Sequence, residues 1–170
     1  MTGGAVTIRP ASEADCPAIN AIYNFYVRTS PATFDTEEMT GAWRRAWFEQ
    51  RFEAGLPVLV AEAAGRVAGW CALSPWSPKG AYATTVDESI YIADDYRGQG
   101  IGRGLLGAIL GEAQAIGKHV VMAGVVECQV ASMKLHESLG FERSALNLHM
   151  GYKLGEWHNV AYLQRHLWRG

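Results

Sequence analysis

The stretch that most constrains this chain is Tyr91–Leu110, YIADDYRGQGIGRGLLGAIL. An apolar, β-rich run enters a segment with three glycines in five residues, Gly98 to Gly102, and leaves as a leucine-rich helical pattern. A strand passing directly into a helix belongs to an α/β architecture. Glycines let the backbone fold tightly and bring N–H groups close to a ligand. The helix that opens there adds its positive dipole end and unpaired donors. With Arg97 supplying a charge, the loop suits a pyrophosphate.

Two other phosphate-binding patterns can be tested against it. G-x-x-x-x-G-K-[ST], the nucleotide-triphosphate loop, is absent. G-x-G-x-x-G occurs as Gly102–Gly107, with Glu127 beyond it. It lies inside the helical pattern, well past the strand end where a dinucleotide fingerprint begins. Neither an NTPase nor a dinucleotide oxidoreductase is the expectation.

The rest of the chain supplies elements around this unit. AVTIRP reads as a short strand, and Ser12 with Asp15 forms a capping-box pattern. Ile19, Ile22, Tyr23 and Tyr26 follow at helical spacing, and Met39, Trp43 and Trp47 mark a second helix ending near Gly55–Pro57. VLVAEAAGRVAGWCAL predicts a hairpin turning at Ala64-Gly65. SPWSPKGAYATT is a loop, VDESIYIA a strand, and the loop helix runs to about Ile116. HVVMAGVV has the continuous apolar character of a strand buried on both faces. VASMKLHESLG is a short helix, and the remainder forms two strands around Gly155. The predicted order, β-α-α-β-β-β-α-β-α-β-β, describes one α/β domain over residues 1–170 with a mixed sheet.

Charge and cysteine usage limit the partners. A net charge of −2 without a basic run argues against nucleic acid. Cys16, Cys71 and Cys128 are an odd set without C-x-x-C spacing, so free thiols in a reducing compartment are expected. No signal-peptide pattern opens the chain and no apolar run approaches membrane-spanning length, which makes a cytoplasmic protein with no metal site the expectation.

R-G-x-G-I-G between a strand and a helix, followed by S132 and L-H-E-S-L-G-F, resembles the GNAT acetyltransferase superfamily. Its signature Q/R-x-x-G-x-G/A is met by Arg97, Gly100 and Gly102. IRPASEADCPAINAIYNFYV, ATF, AYATTVDESIYI and GYKLGEWHNVAYLQR are similar to phosphinothricin and methionine-sulfoximine N-acetyltransferases nearly end to end. The resemblance implies a mixed sheet with splayed fourth and fifth strands, and acetyl-CoA as co-substrate. The pyrophosphate would lie on Arg97, Gly98, Gln99, Gly100, Ile101 and Gly102. The pantetheine arm would meet the backbone of Ile90, Tyr91 and Ile92, with Gln129 and Ser132 nearby. Gln129 stands where relatives carry Asn. The acceptor would be the α-amine of a small amino-acid analogue, and the protein a homodimer.

An α-amine near pH 7 is mostly ammonium, so attack on a thioester needs a base. DES offers Asp87 and Glu88, which a strand turns to opposite faces. Ungapped alignment sets the family glutamate on Asp87, one methylene shorter, whereas a bulge would bring in Glu88 instead. His136, in L-H-E, is a candidate acid for the leaving thiolate. Phe34, Trp76, Lys79 and Tyr82 match substrate-loop positions, with Lys79 replacing an arginine of the family. Tyr152, Lys153, Trp157 and His158 in the terminal motif either complete the pocket or staple the last hairpin.

Overall fold

The computed structural model describes residues 5–168. Seven strands form one sheet, β1 (Thr7–Pro10), β2 (Val58–Ala63), β3 (Arg66–Pro75), β4 (Thr85–Ile92), β5 (Val120–Val126), β6 (Glu142–Lys153) and β7 (Glu156–His166). Four helices accompany them, α1 (Cys16–Thr29), α2 (Gly41–Glu53), α3 (Ile101–Ala115) and α4 (Val130–Ser138). The strand order is β1-β2-β3-β4-β5-β7-β6, antiparallel except for the central β4–β5 pair. The α/β class with a mixed sheet is the one expected.

Local chemistry explains the element ends. The Asp15 carboxylate accepts the Ser12 N–H at 2.8 Å, and a single 3₁₀ turn, Glu13–Asp15, leads into α1. The second helix starts at Gly41 rather than Met39, because the Thr40 hydroxyl caps it by accepting the Trp43 N–H at 3.1 Å. Both tight hairpin turns, Ala64-Gly65 and Leu154-Gly155, hold their two central residues at positive φ, the pattern that matches strand twist.

Two core layers cover the sheet. Leu105, Leu106 and Ile109 of α3 pack on one face against Ala61, Cys71, Leu73, Val86 and Val121. Ile19, Ile22 and Tyr26 of α1, with Phe48 of α2, cover Val60 and Trp70 on the other. The stripe of α2 differs from the expected one: Trp43 is exposed, and the buried positions are Arg44 and Phe48. Arg44 is accepted inside because four rings surround its guanidinium, with Trp47 nearest at 4.6 Å and Tyr23 at 4.8 Å.

One departure from regular pairing positions everything that follows. β4 pairs with β3 from Val86 to Ile92, yet meets β5 only at Thr85–Asp87 against Val120–Met122. Beyond Asp87 the two central strands diverge, opening a V in the middle of the sheet.

Candidate active site

The V is the mouth of a cleft of about 700 Å³ that passes between the two faces of the sheet. Its walls can be assigned from strand periodicity. Val86 and Glu88 are buried and Ile90 and Ile92 pack on the α3 side, whereas Tyr91 packs with Trp70 on the α1 side. Asp87 therefore faces the α1 side and Glu88 the α3 side. The Ala93 N–H pairs back to Ala68 of β3 at 2.9 Å, so the alternate residues Ile90 and Ile92 turn their amides towards the gap. The Ile92 carbonyl confirms that direction by accepting the Tyr26 hydroxyl at 2.6 Å.

On the α3 side the glycine loop closes the cleft. Gly98 and Gly100 sit at φ of 72° and 80°, a left-handed conformation that side chains resist. Gly100 is the N-cap of α3 and offers no side-chain cap, so the first N–H groups of this helix have no partner. Arg97 and Arg103 line the same region. Arg97 is held by donation to the Tyr26 hydroxyl at 3.2 Å and by Asp94 at 3.2 Å. Arg103 reaches Ser138 of α4 at 2.8 Å. An uncapped helix end beside two arginines has the chemistry that suits an anion.

The vertex holds the titratable groups. Glu88 Oε1 lies 2.6 Å from His136 Nε2, and both residues are buried. His136 Nδ1 lies 2.7 Å from the Ser132 carbonyl, which can only accept, so that nitrogen carries a proton. The Glu88 bond and the Ser132 carbonyl raise the His136 pKa against the effect of its burial. With both ring nitrogens engaged, His136 has no N–H free for a leaving group. Glu88 Oε2 is buried without a partner among the described residues. Across the strand, burial first and the nearby Glu88 charge second push the Asp87 carboxyl up to about 7. That value suits a base working near neutrality.

A strand pair that splits around a two-sided cleft, with a glycine loop opening a helix beside it, is distinctive enough to compare. The profile of the Acetyltransferase (GNAT) family matches residues 19–141. The chain belongs to the GNAT acetyltransferase family. It is 40% identical over 164 residues to the L-methionine sulfoximine/L-methionine sulfone acetyltransferase of Pseudomonas aeruginosa, covering 96% of this chain and 95% of that protein. Among solved structures, yncA from Salmonella typhimurium with its cofactor acetyl-CoA superposes with a TM-score of 0.95 at 38% identity, covering 98% and 96% of the two chains. A GNAT superfamily phosphinothricin acetyltransferase from Sinorhizobium meliloti, in complex with acetyl-CoA, gives 0.92 at 33% identity, covering 95% and 88%.

The GNAT cleft gathers most residues singled out from sequence. Asp87, Glu88, His136, Ile90, Tyr91, Ile92, Arg97, Gly98, Gly100, Ile101, Gly102, Gln129, Ser132, Phe34 and Trp76 all line it. Gln99 does not, because its side chain turns back to donate to the Asp95 carbonyl at 3.1 Å. Lys79 and Tyr82 sit exposed on the loop after β3, outside the lining. Arg103, Gly124, Met150, Val160 and Tyr162 line it without having been anticipated. Gly124 and Tyr162 face each other across β5 and β7, a pairing visible only once the register is known.

Proposed function

We propose that this GNAT N-acetyltransferase moves the acetyl group of acetyl-CoA onto the α-amine of a small amino-acid analogue: methionine sulfoximine, methionine sulfone or phosphinothricin. The observation that carries this reading is the two-sided cleft. One side offers an uncapped helix end and two arginines; the other offers the half-buried carboxylate of Asp87 among Phe34, Trp76, Met150 and Tyr162. The names of the relatives supply the acceptor class.

The α3 side fits acetyl-CoA. Arg97, Arg103 and the first N–H groups of α3 suit a pyrophosphate, and the gap-facing amides of Ile90 and Ile92 can pair with the pantetheine as a further strand would. Gln129 and Ser132 line the wall where that arm would pass. Acetyl-CoA supplies the acetyl group as a thioester.

This chain's residues supply the remaining chemistry. Asp87, facing the acceptor side, takes a proton from the ammonium at its carboxylate oxygen. Its raised pKa makes it a stronger base than an exposed aspartate while leaving it ionised above pH 7. The gap-facing N–H groups of β4 are preorganised donors for negative charge developing beside them. Glu88 and His136 form a fixed pair behind the strand: Glu88 raises Asp87, and His136 holds Glu88 in place.

The protein is further read as a homodimer. β6 is an edge strand, and Leu146, Leu148, Met150 and Tyr152 on it, with Trp157 on β7, expose large apolar surface. A second copy pairing there would cover both the edge and the patch.

Turnover across an amine panel tests the assignment of the acceptor. Saturable acetylation of methionine sulfoximine, methionine sulfone or phosphinothricin is expected. Saturation by peptide N-termini alone would overturn it.

A further inference from the structure

Lys153 is a demanding buried group outside the reacting centre. It stands at the end of β6 with 5% exposure, and no carboxylate pairs with it among the described residues. Its ammonium donates to the carbonyls of Thr33 at 2.7 Å and Ser30 at 2.8 Å, with a longer contact to Tyr26 at 3.4 Å. Burial pulls its pKa down. Holding a lysine in this way costs it its hydration, so three backbone carbonyls must offset the loss by staying where they are. Those carbonyls belong to the last turn of α1 and the segment beyond it.

A second contact acts on the same segment. Gly151, opposite His158 in the β6–β7 ladder, lies under the ring of Phe34. A Cβ at position 151 would stand 2.6 Å from Phe34 Cε2 and 2.8 Å from Cδ2 and Cζ. His158 completes the seat, its ring centroid 6.2 Å from that of Phe34 and its Nε2 2.9 Å from the Lys153 carbonyl. Pro31, Ala32 and Phe34 all line the cleft. The terminal hairpin thus holds the segment by its backbone, through Lys153, and by its ring, through Gly151.

We infer that Lys153 and Gly151 are positioning residues that set the width of the acceptor half of the cleft, and with it the choice of acceptor. Neither has to touch the acceptor; both act through Phe34. The inference rests on the reading that the Phe34 side receives the amine.

Four variants test it: Gly151→Ala, Gly151→Ala with Phe34→Leu, Lys153→Met and Lys153→Arg. Acceptor KM, acetyl-CoA Kd, and hydrogen exchange of amides 32–35 are measured for each. Gly151→Ala drives the ring into the cleft and raises the KM for methionine sulfoximine roughly ten-fold, a misplacement effect. Acetyl-CoA Kd stays within about two-fold, and Phe34→Leu in the same chain restores the KM. Lys153→Met speeds exchange across 32–35 and raises the acceptor KM, while Lys153→Arg recovers part of both. An unchanged KM in Gly151→Ala overturns the inference, as does unchanged exchange in Lys153→Met or a parallel rise in acetyl-CoA Kd. Should the wild type acetylate none of the amino-acid panel, the acceptor reading fails by itself. Exchange at 32–35 then decides the clamp: faster in Lys153→Met upholds it, unchanged rejects it.

Discussion

At the scale of single residues, the adjacent carboxylates Asp87 and Glu88 meet different surroundings because a strand sends them to opposite faces. That opposition is legible from the period of two in the sequence. The Glu88–His136 bond is not, because the two are 48 positions apart and meet only when α4 is laid on the sheet. Asp87 carries a stability cost whose sign follows from its pKa. Raised to about 7, it binds more protons when folded than when unfolded between its ordinary range and 7, so stability falls as pH rises through that window. Asp87→Asn removes this cost, and thermal melts should place the variant about 2–4 kcal/mol above the wild type at pH 8, with little difference near pH 4.5. His136→Ala acts oppositely by leaving Glu88 buried without its partner. Denaturant unfolding should register a loss of about 3–5 kcal/mol, partly recovered when Glu88→Gln removes the orphaned charge.

At the scale of elements, the proposed pyrophosphate site on the glycine loop and α3 is separate from the proposed acceptor wall. Gly100→Ala forces a side chain into the left-handed region at φ of 80° and should weaken acetyl-CoA binding, costing about 1–2 kcal/mol of stability. Arg103→Ala should raise acetyl-CoA Kd and flatten its salt dependence while leaving acceptor KM alone; titration at two ionic strengths checks this. On the acceptor side, Trp76→Ala should raise acceptor KM more than Lys79→Ala, since only Trp76 lines the cleft. Loop and hairpins were legible because turn chemistry is local. The buried stripe of α2 was not: an apolar stripe at Met39, Trp43 and Trp47 gave way to Arg44, whose burial depends on rings from two other elements, Tyr23 of α1 and Trp70 of β3. β6 also reads as an even strand, yet its register shifts twice, between Arg143 and Ala145 and between Asn147 and Gly151. The second shift sets Gly151 opposite His158, under Phe34.

At the scale of the whole molecule, the proposed activity rests on a sheet whose central pairing is incomplete. β4 and β5 pair over three residues and then part, and no local pattern in either strand announces it. The expectation of a splay came from the resemblance to acetyltransferases, and the geometry gives it a physical content: free backbone on β4 and a passage between the two faces. The exposed β6 edge belongs to this scale too. If a second copy covers it, Leu148→Glu should convert a dimer to a monomer in light scattering, with weaker effect from a charge at exposed Phe52 on α2.

The central claim is that Asp87 takes the proton from the amine on the acceptor side of the cleft. The pH dependence of kcat with methionine sulfoximine, for wild type, Asp87→Asn and Glu88→Gln, tests it most directly. The wild type should rise through an apparent pKa near 7, since the base must be ionised. Asp87→Asn should lose about 10²–10⁴-fold together with that inflection, and Glu88→Gln should keep an inflection moved to lower pH. Retention of rate and inflection by Asp87→Asn, with their loss in Glu88→Gln, would contradict it and assign the base to the other face of the strand.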